Sequence, residues 1–150
     1  MDESARPKRL LDALARAHRV VGRSLQVDLE REEGITLDQW RVLRALSTDE
    51  GRTMGELVEH LQVPAASVTR FVDTLVDRAL VFRHARAADR RQVEVLLSSL
   101  GSQVLARTEA LVQAHEARLA EVSMIPVADL IDALESIASA TPSTSPAHSP

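Results

Sequence analysis

The sequence predicts a mainly α protein with a winged helix-turn-helix, in which two short helices precede a two-stranded hairpin. Three observations favour this fold class. Apolar residues recur at steps of three and four over most of the 150-residue chain. Glycine and proline number only 5 and 6, too few for an all-β protein with many turns. Strand-like alternation is confined to one region, between residues 80 and 97.

Two helices are predicted ahead of the helix-turn-helix. Apolar residues at helical spacing predict one long helix from about Lys8 to Leu29. The segment Thr36-Leu37-Asp38-Gln39 matches a capping box, in which the first and fourth residues cap each other. It predicts the start of a shorter helix that carries Trp40 and Leu43 on its apolar face.

The candidate helix-turn-helix follows a turn predicted at residues 49–52. Thr53-Met54-Gly55-Glu56 is a second capping box, and the apolar residues after it keep helical spacing. Pro64 suits the first turn of the next helix, because that position needs no backbone N–H. This second helix is expected to end near Ala79 and to direct four side chains to the core: Val68, Phe71, Val72 and Leu75.

The opposite face of this second helix carries small residues, hydroxyls and one arginine. Such a face suits insertion into the DNA major groove, because a helix N-terminus attracts phosphates and short side chains leave room for base edges. A plain solvent-exposed helix face is the alternative interpretation, and the pattern alone does not decide between them. The residues on this face are Ala65, Ala66, Ser67, Thr69, Arg70 and Asp73.

A basic segment lies between the predicted strands 80–83 and 92–97. Four arginines and one aspartate within nine residues give it a local charge of +3, whereas the whole chain carries −4. A thin ribbon with this charge can place an arginine in a minor groove, where negative potential is focused. A solvated charged loop is the alternative. The segment contains Arg83, His84, Arg86, Asp89, Arg90 and Arg91.

Helical spacing returns after the hairpin. It predicts a long helix from Ser99 to about Val122, and Pro126 separates this helix from a last short one. Residues 140–150 are rich in Ser, Thr and Pro and have almost nothing to bury, which predicts a disordered tail.

Composition excludes several classes of protein. Cysteine is absent, which excludes disulfides, thiolate metal sites and cysteine nucleophiles. Aromatic residues make up 2% of the chain, which disfavours stacking platforms for single-stranded nucleic acid. No stretch approaches the roughly 20 apolar residues of a membrane span, and the charged N-terminus does not resemble a secretory signal. A cytoplasmic protein is therefore expected.

An enzyme is not expected, because the chain has no P-loop, G-x-G-x-x-G, G-x-S-x-G or H-E-x-x-H motif. No cofactor is expected either, and His115-Glu116 alone is too little for a metal site. The alternative to a DNA-binding protein is a helical interaction protein that does not bind DNA, since the later helices carry more acidic than basic residues.

The hairpin region resembles the wing signature of the MarR (multiple antibiotic resistance regulator) family. That signature reads D-R-R, then alternating apolar residues, then L-[TS]-x-x-G; here it is Asp89-Arg90-Arg91, Val93, Val95, Leu97-Ser98 and Gly101. Upstream, Gln39-Trp40, Val68-Thr69-Arg70 and Leu80-Val81-x-Arg83 are similar to the family's second helix, recognition helix and first wing strand. The resemblance covers roughly Leu10 to Ile137.

The resemblance implies one winged-helix domain over residues 1–139 that acts as a homodimer. Helices at about 8–30 and 99–139 would form the dimerisation lobe, and residues 36–98 the DNA-binding lobe. Such a dimer binds a pseudo-palindromic operator, and repression released by a small molecule is expected. Ser67, Thr69 and Arg70 would contact the major groove or phosphates, Arg91 the minor groove and Arg90 the DNA backbone. Asp89 would brace a wing arginine, and the expected DNA-binding set also includes Asp73, Arg83 and Arg86.

The resemblance also implies a site for a small aromatic or anionic ligand between the two lobes. The candidate ligand-binding residues are His18, Arg19, Trp40 and His115, with Gly22 near them.

One departure from the family pattern has a structural consequence. Ala79 stands where glycine is common after the recognition helix, and a left-handed backbone at that position is strained for alanine.

Overall fold

The structure, a computed structural model, describes residues 9–48, 50–85 and 92–140. The predicted wing residues Arg86, Asp89, Arg90 and Arg91 lie outside this part of the chain, as do residues 141–150 of the predicted tail. The elements in chain order are α1 (Leu10–Glu33), α2 (Leu37–Ala45), β1 (Arg52–Thr53), α3 (Met54–Leu61), α4 (Ala65–Asp77), β2 (Val81–Ala85), β3 (Val93–Leu97), α5 (Ser99–Ser123) and α6 (Val127–Ala140). This mainly helical architecture with a small antiparallel sheet confirms the predicted winged-helix fold class.

The chain divides into two compact units, Met1–Leu111 and Val112–Pro150. The boundary falls within α5, so the first part of this helix belongs to the unit that contains the helix-turn-helix. The assignment of one domain with two functional lobes stays a prediction. None of the described helices combines the length and the apolar character that crossing a bilayer demands.

Both predicted capping boxes are confirmed. The Thr36 hydroxyl accepts a hydrogen bond from the Gln39 N–H at 3.2 Å, and the Gln39 side-chain oxygen accepts one from the Thr36 N–H at 2.9 Å. Thr53 and Glu56 form the same pair of bonds at the start of α3, at 3.2 and 2.7 Å. Helix α1 extends one turn beyond the predicted end, because the left-handed residue that ends it is Gly34.

The core of the first unit lies where α1, α2, α3 and α4 meet the sheet. One of the side chains expected in the core is less buried than predicted. Phe71 is half-buried, with the guanidinium of Arg70 5.8 Å from its ring centroid. Val93, which pairs with Ala85 at the far end of the strand ladder, is 46% exposed. The largest fully buried side chains include Leu29, Ile35, Leu43, Leu57, Val68, Val72, Leu75, Val81 and Val95.

The sheet has three strands in the order β1-β3-β2, all antiparallel, where the sequence predicted two. Its register pairs Arg52 with Val95, and Arg83 also pairs with Val95 from the other side. The predicted turn at residues 49–52 is thus wrong at its last residue, since Arg52 belongs to β1. A two-residue strand has no periodic signal of its own, and it exists only because β3 offers hydrogen-bonding partners.

A close corner joins the end of α4, the start of β2 and the start of α5. Ala79 has a φ of 56°, the left-handed conformation expected at this position. The N–H of Leu80 donates to Leu75 and that of Ala79 to Val76, which completes a Schellman turn. Ser98 Oγ accepts from the Gly101 N–H at 2.9 Å and donates to the Ala79 carbonyl at 2.6 Å. The L-S-x-x-G motif therefore ties α5 to the end of α4.

Candidate nucleic-acid interface

The exposed face of α4 is the candidate DNA-reading surface. Val68, Val72 and Leu75 are fully buried on the inner face, which determines the side of the helix that remains free. Of the predicted site residues on α4, Ser67 is half-buried, and Thr69, Arg70 and Asp73 are exposed.

Two of these side chains retain capacity for an external partner. The Thr69 hydroxyl donates to the Ala65 carbonyl at 3.0 Å, and its oxygen can still accept. Within the described part of the chain, the Arg70 guanidinium makes no hydrogen bond and only lies near the Phe71 ring. Its five N–H donors are therefore available for a phosphate or a base edge.

The N-terminus of α4 lacks a side-chain cap. Pro64 occupies the N-cap position, and its ring cannot accept the hydrogen bond that a serine or aspartate would. The first intrahelical bonds to the Pro64 carbonyl come from Ser67 and Val68. The backbone N–H groups of Ala65 and Ala66 precede these bonds, so they can meet an anion at the positive end of the helix.

Strand β2 lies beside this face and is joined to it by an ion pair. Arg83 Nη2 lies 2.6 Å from Asp73 Oδ1, across ten residues of sequence. Arg83 shares its side of the sheet with its partner Val95, which is buried, so the guanidinium is directed to α4. His84 is exposed and occupies the alternate face. The predicted site residues Asp73 and Arg83 thus make a contact with each other.

The end of α1 binds two arginines that the sequence analysis did not single out. Arg78 donates to the backbone carbonyls of Gly34 at 2.6 Å and Glu33 at 2.9 Å. Arg107 makes a two-pronged contact with the Glu33 carboxylate, at 2.5 and 2.8 Å. These hydrogen bonds from Arg107 lower the pKa of Glu33, partial burial opposes them by raising it, and the charges of Arg107 and Arg78 lower it further.

The sequence carried only a weak signal for this contact. A basic residue after a helix, such as Arg78, is commonly explained as a partner of that helix's own last carbonyls. Here the arginine binds the end of a different helix, 44 and 45 residues away in sequence. Residues this far apart in sequence produce no local pattern, so only the folded structure could identify the contact between Arg78 and the end of α1.

A groove of about 300 Å³ between α1 and α2 gathers part of the predicted ligand set. The groove includes His18, Arg19 and Gly22 but not Trp40. Trp40 is half-buried, and its indole N–H has no hydrogen-bond partner among the described residues. His115 belongs to the second unit. The described residues contain no cluster of three His, Asp or Glu side chains that could hold a metal ion. The complete lining is His18, Arg19, Gly22, Arg23, Gln26, Leu37, Asp38 and Arg41.

Comparison with known proteins connects this fold to one family. A family model described as the MarR family matches residues 33–92, from the last residue of α1 to the residue before β3. An HTH-type transcriptional repressor of Mycobacterium tuberculosis is 31% identical over 86 residues, 57% of this chain. The chain spans 62% of that relative's length.

Two solved structures match over nearly the whole chain. The transcriptional regulator BldR from Sulfolobus solfataricus is 28% identical, with a TM-score of 0.78 over 88% of this chain and 94% of its own. The transcriptional repressor CouR, in a structure bound to a 23-mer DNA duplex, is 30% identical, with a TM-score of 0.74 over 87% of this chain and 90% of its own. With the winged helix-turn-helix, the wing motif and these matches in agreement, the chain belongs to the MarR family of transcriptional regulators.

Proposed function

We propose that this protein is a transcriptional repressor that binds double-stranded DNA as a homodimer on a pseudo-palindromic operator and is released by a small anionic ligand. The observation that carries the proposal is the joint surface of α4 and β2. Thr69 and Arg70 are exposed on the helix, and the Asp73–Arg83 ion pair holds the wing strand beside them at 2.6 Å. The DNA duplex bound by the relative CouR supports the same class of partner.

The proposed roles follow from the position of each group. The N–H groups at the start of α4 receive a phosphate, Arg70 reads a base edge in the major groove, and the Thr69 hydroxyl oxygen accepts a hydrogen bond beside it. Ser67 contributes from its half-buried position near the helix start. The Asp73–Arg83 ion pair holds strand β2 beside α4. Of the predicted wing residues that follow Arg83, Arg91 is proposed to meet the adjacent minor groove and Arg90 the DNA backbone, and Asp89 is proposed to brace a wing arginine.

A binding titration tests the DNA-binding proposal. Fluorescence anisotropy of a labelled random-sequence duplex and of a duplex selected by the protein, each at several salt concentrations, should show affinity that falls steeply with salt. Arg70→Ala should weaken binding to the selected duplex by about 1–3 kcal/mol. The matched control is Arg31→Ala, because Arg31 is exposed and its ion pairs stay within α1. A wild-type chain that binds no duplex even at low salt would favour the helical interaction protein instead.

Uncovered apolar side chains support the homodimer. In the first unit, Val20 and Val27 of α1 are 63% and 55% exposed. In the second unit, α6 has no buried residue, although Ile131, Leu134 and Ile137 follow a helical repeat. A second copy of the chain can remove such faces from water, which is the main driving force for association. Sedimentation should give twice the chain mass of 16.4 kDa, and a stable monomer at micromolar concentration would contradict the homodimer.

The groove between α1 and α2 supports an anionic ligand. Arg19, Arg23 and Arg41 outnumber the single acid, Asp38, among its lining residues. An aromatic carboxylate such as benzoate is a suitable probe, and benzamide is a neutral control of nearly the same shape. Benzoate should lower the affinity for the selected duplex and benzamide should not, whereas equal effects would contradict a charge-selective site.

A further inference from the structure

We infer that Arg78 and Arg107 are positioning residues, which set the direction of α4 for DNA recognition without contacting DNA. The inference rests on the proposed function and concerns side chains away from the reading face. The structural basis is the end of α1, where both arginines meet one residue, Glu33.

Arg78 connects α4 to α1. It is the C-cap residue of α4, and its two terminal nitrogens donate to the carbonyls of Glu33 and Gly34. The last carbonyls of a helix carry its negative partial charge and lack partners within the helix, so a guanidinium is favoured there. Gly34, left-handed with a φ of 64°, turns the chain away directly after these carbonyls.

Arg107 connects α5 to the same point. Its Nε and Nη2 donate to the two carboxylate oxygens of Glu33, a geometry that specifies the orientation of both groups as well as their distance. Glu33 therefore offers its backbone oxygen to one arginine and its carboxylate to the other. Helices α1, α4 and α5 are joined at this residue within the first unit.

The energetics favour a positioning role over a stabilising one. The Arg107 side chain is 52% exposed and that of Glu33 13%, so solvent screens one partner and the ion pair makes only a modest contribution to the free energy of folding. The fully buried Leu29 and Ile35 on either side already anchor the end of α1 in the core. What the four hydrogen bonds add is a defined angle between helices.

A small change in that angle has a large effect on the reading face. Helix α4 has 13 residues and is therefore about 20 Å long. A tilt of about 10° about its end at Arg78 would displace its first turn by about 3 Å, more than a hydrogen bond to a base can tolerate. In a dimer, both copies of α4 must match half-sites about one helical turn of DNA apart, so the tilt also alters the preferred spacing.

The experiment measures two quantities separately. One is the affinity for the selected operator, and the other is spacing discrimination, the ratio of the affinities for operators with the selected and with altered distances between half-sites. The wild-type chain selects an operator from a random-sequence duplex pool, and derivatives with half-sites moved by one or two base pairs are prepared, with an unrelated duplex as reference. The variants are Arg78→Met, which removes both carbonyl contacts, Glu33→Gln, which removes the charge, and Arg107→Lys, which keeps a single contact. Arg31→Gln is the matched control, because it removes one positive charge and two ion pairs near the same end of α1. Circular dichroism checks that each variant is folded.

Arg78→Met should bind the selected operator about tenfold more weakly, the effect of one lost base contact, and should lose part of the spacing discrimination. Its affinity for the unrelated duplex should match that of Arg31→Gln, and Arg107→Lys should be intermediate. If Arg78→Met does not fold, Glu33→Gln is measured in its place. This variant leaves the hydrogen bonds from Arg78 to the backbone carbonyls intact. If the variants keep wild-type spacing discrimination, or lose affinity for both duplexes equally, this inference is wrong but the proposed function is unaffected. A wild-type chain that binds no duplex overturns the proposed function and this inference with it.

Discussion

Substitution of Gly101 by alanine should destabilise the protein, because the corner between α4 and α5 has no room for a methyl group. A Cβ on Gly101 would lie 1.9 Å from the Leu80 carbonyl oxygen and 2.9 Å from its carbon. A carbon and a carbonyl oxygen normally approach no closer than about 3.3 Å. The start of α5 must therefore move by about 1.4 Å relative to Leu80.

Such a movement breaks the hydrogen bonds that Ser98 makes to the residues that follow α4. Its hydroxyl donates to the carbonyls of Ala79 at 2.6 Å and Leu80 at 3.0 Å, and its N–H donates to the Leu80 carbonyl at 3.0 Å. Three hydrogen bonds at about 1 kcal/mol each give an expected loss of about 3 kcal/mol in the free energy of unfolding. Ser98→Ala, which removes only the hydroxyl contacts, should cost about 1–2 kcal/mol.

Gly55→Ala is the matched control. Gly55 lies in α3, and a Cβ there would have Thr53 Oγ1 at 4.0 Å as its nearest neighbour. With space available and helical backbone, alanine should stabilise the protein by about 0.5–1 kcal/mol. Urea unfolding followed by circular dichroism, at one fixed protein concentration, measures all three variants. A Gly101→Ala variant within about 0.5 kcal/mol of the wild type would refute the packing argument.

Three further predictions concern other charged or strained positions. Ala79→Gly should raise the free energy of unfolding by about 0.5–1 kcal/mol, because glycine adopts a φ of 56° without strain; a thermal midpoint below that of the wild type would contradict this. Since Arg107 holds the pKa of Glu33 below its ordinary value of 4.5, the stability that the carboxylate contributes is present above pH 4.5 and is lost as the pH falls through the lowered pKa. Glu33→Gln should therefore be less stable than the wild type at pH 7 and approach it in acid, and a difference independent of pH would exclude the ion pair as its cause. Asp73→Asn should change the free energy of unfolding by less than about 1 kcal/mol, because Asp73 and Arg83 are both partly exposed. The same variant should bind unrelated duplex more tightly, because it removes a negative charge beside the phosphates. Weaker binding in an anisotropy titration would count against the placement of Asp73 next to DNA.

The sequence predicted those parts of the fold that depend on neighbours along the chain. The capping boxes at Thr36 and Thr53 are formed by residues three apart, so their pattern is complete within one turn. The left-handed conformation of Ala79 was implied by the resemblance, because the family commonly has glycine at this position after the recognition helix. The buried face of α4 followed from helical periodicity, except at Phe71, which sits at the margin of that face.

Contacts between distant residues could not be predicted in this way. Strand β1 consists of two residues whose partners in β3 lie more than 40 positions later, so nothing near Arg52 indicates a strand. The Asp73–Arg83 pair crosses from a helix to a strand, although both residues were singled out as candidates for DNA contact. Arg107 and Glu33 are 74 residues apart, and each alone resembles an ordinary charged residue on a helix surface.

Chemical protection of guanine N7 on the selected operator shows whether α4 enters the major groove, because N7 is exposed only in that groove. If two copies of α4 read the duplex, the wild-type protein should protect two patches about 10 base pairs apart on the same face of the helix. Arg70→Ala should restore reactivity at one guanine or its neighbour in each patch, while Arg31→Ala leaves both patches protected. If a complex stable enough to footprint leaves every guanine N7 reactive, α4 does not enter the major groove and the proposed mode of DNA recognition is wrong.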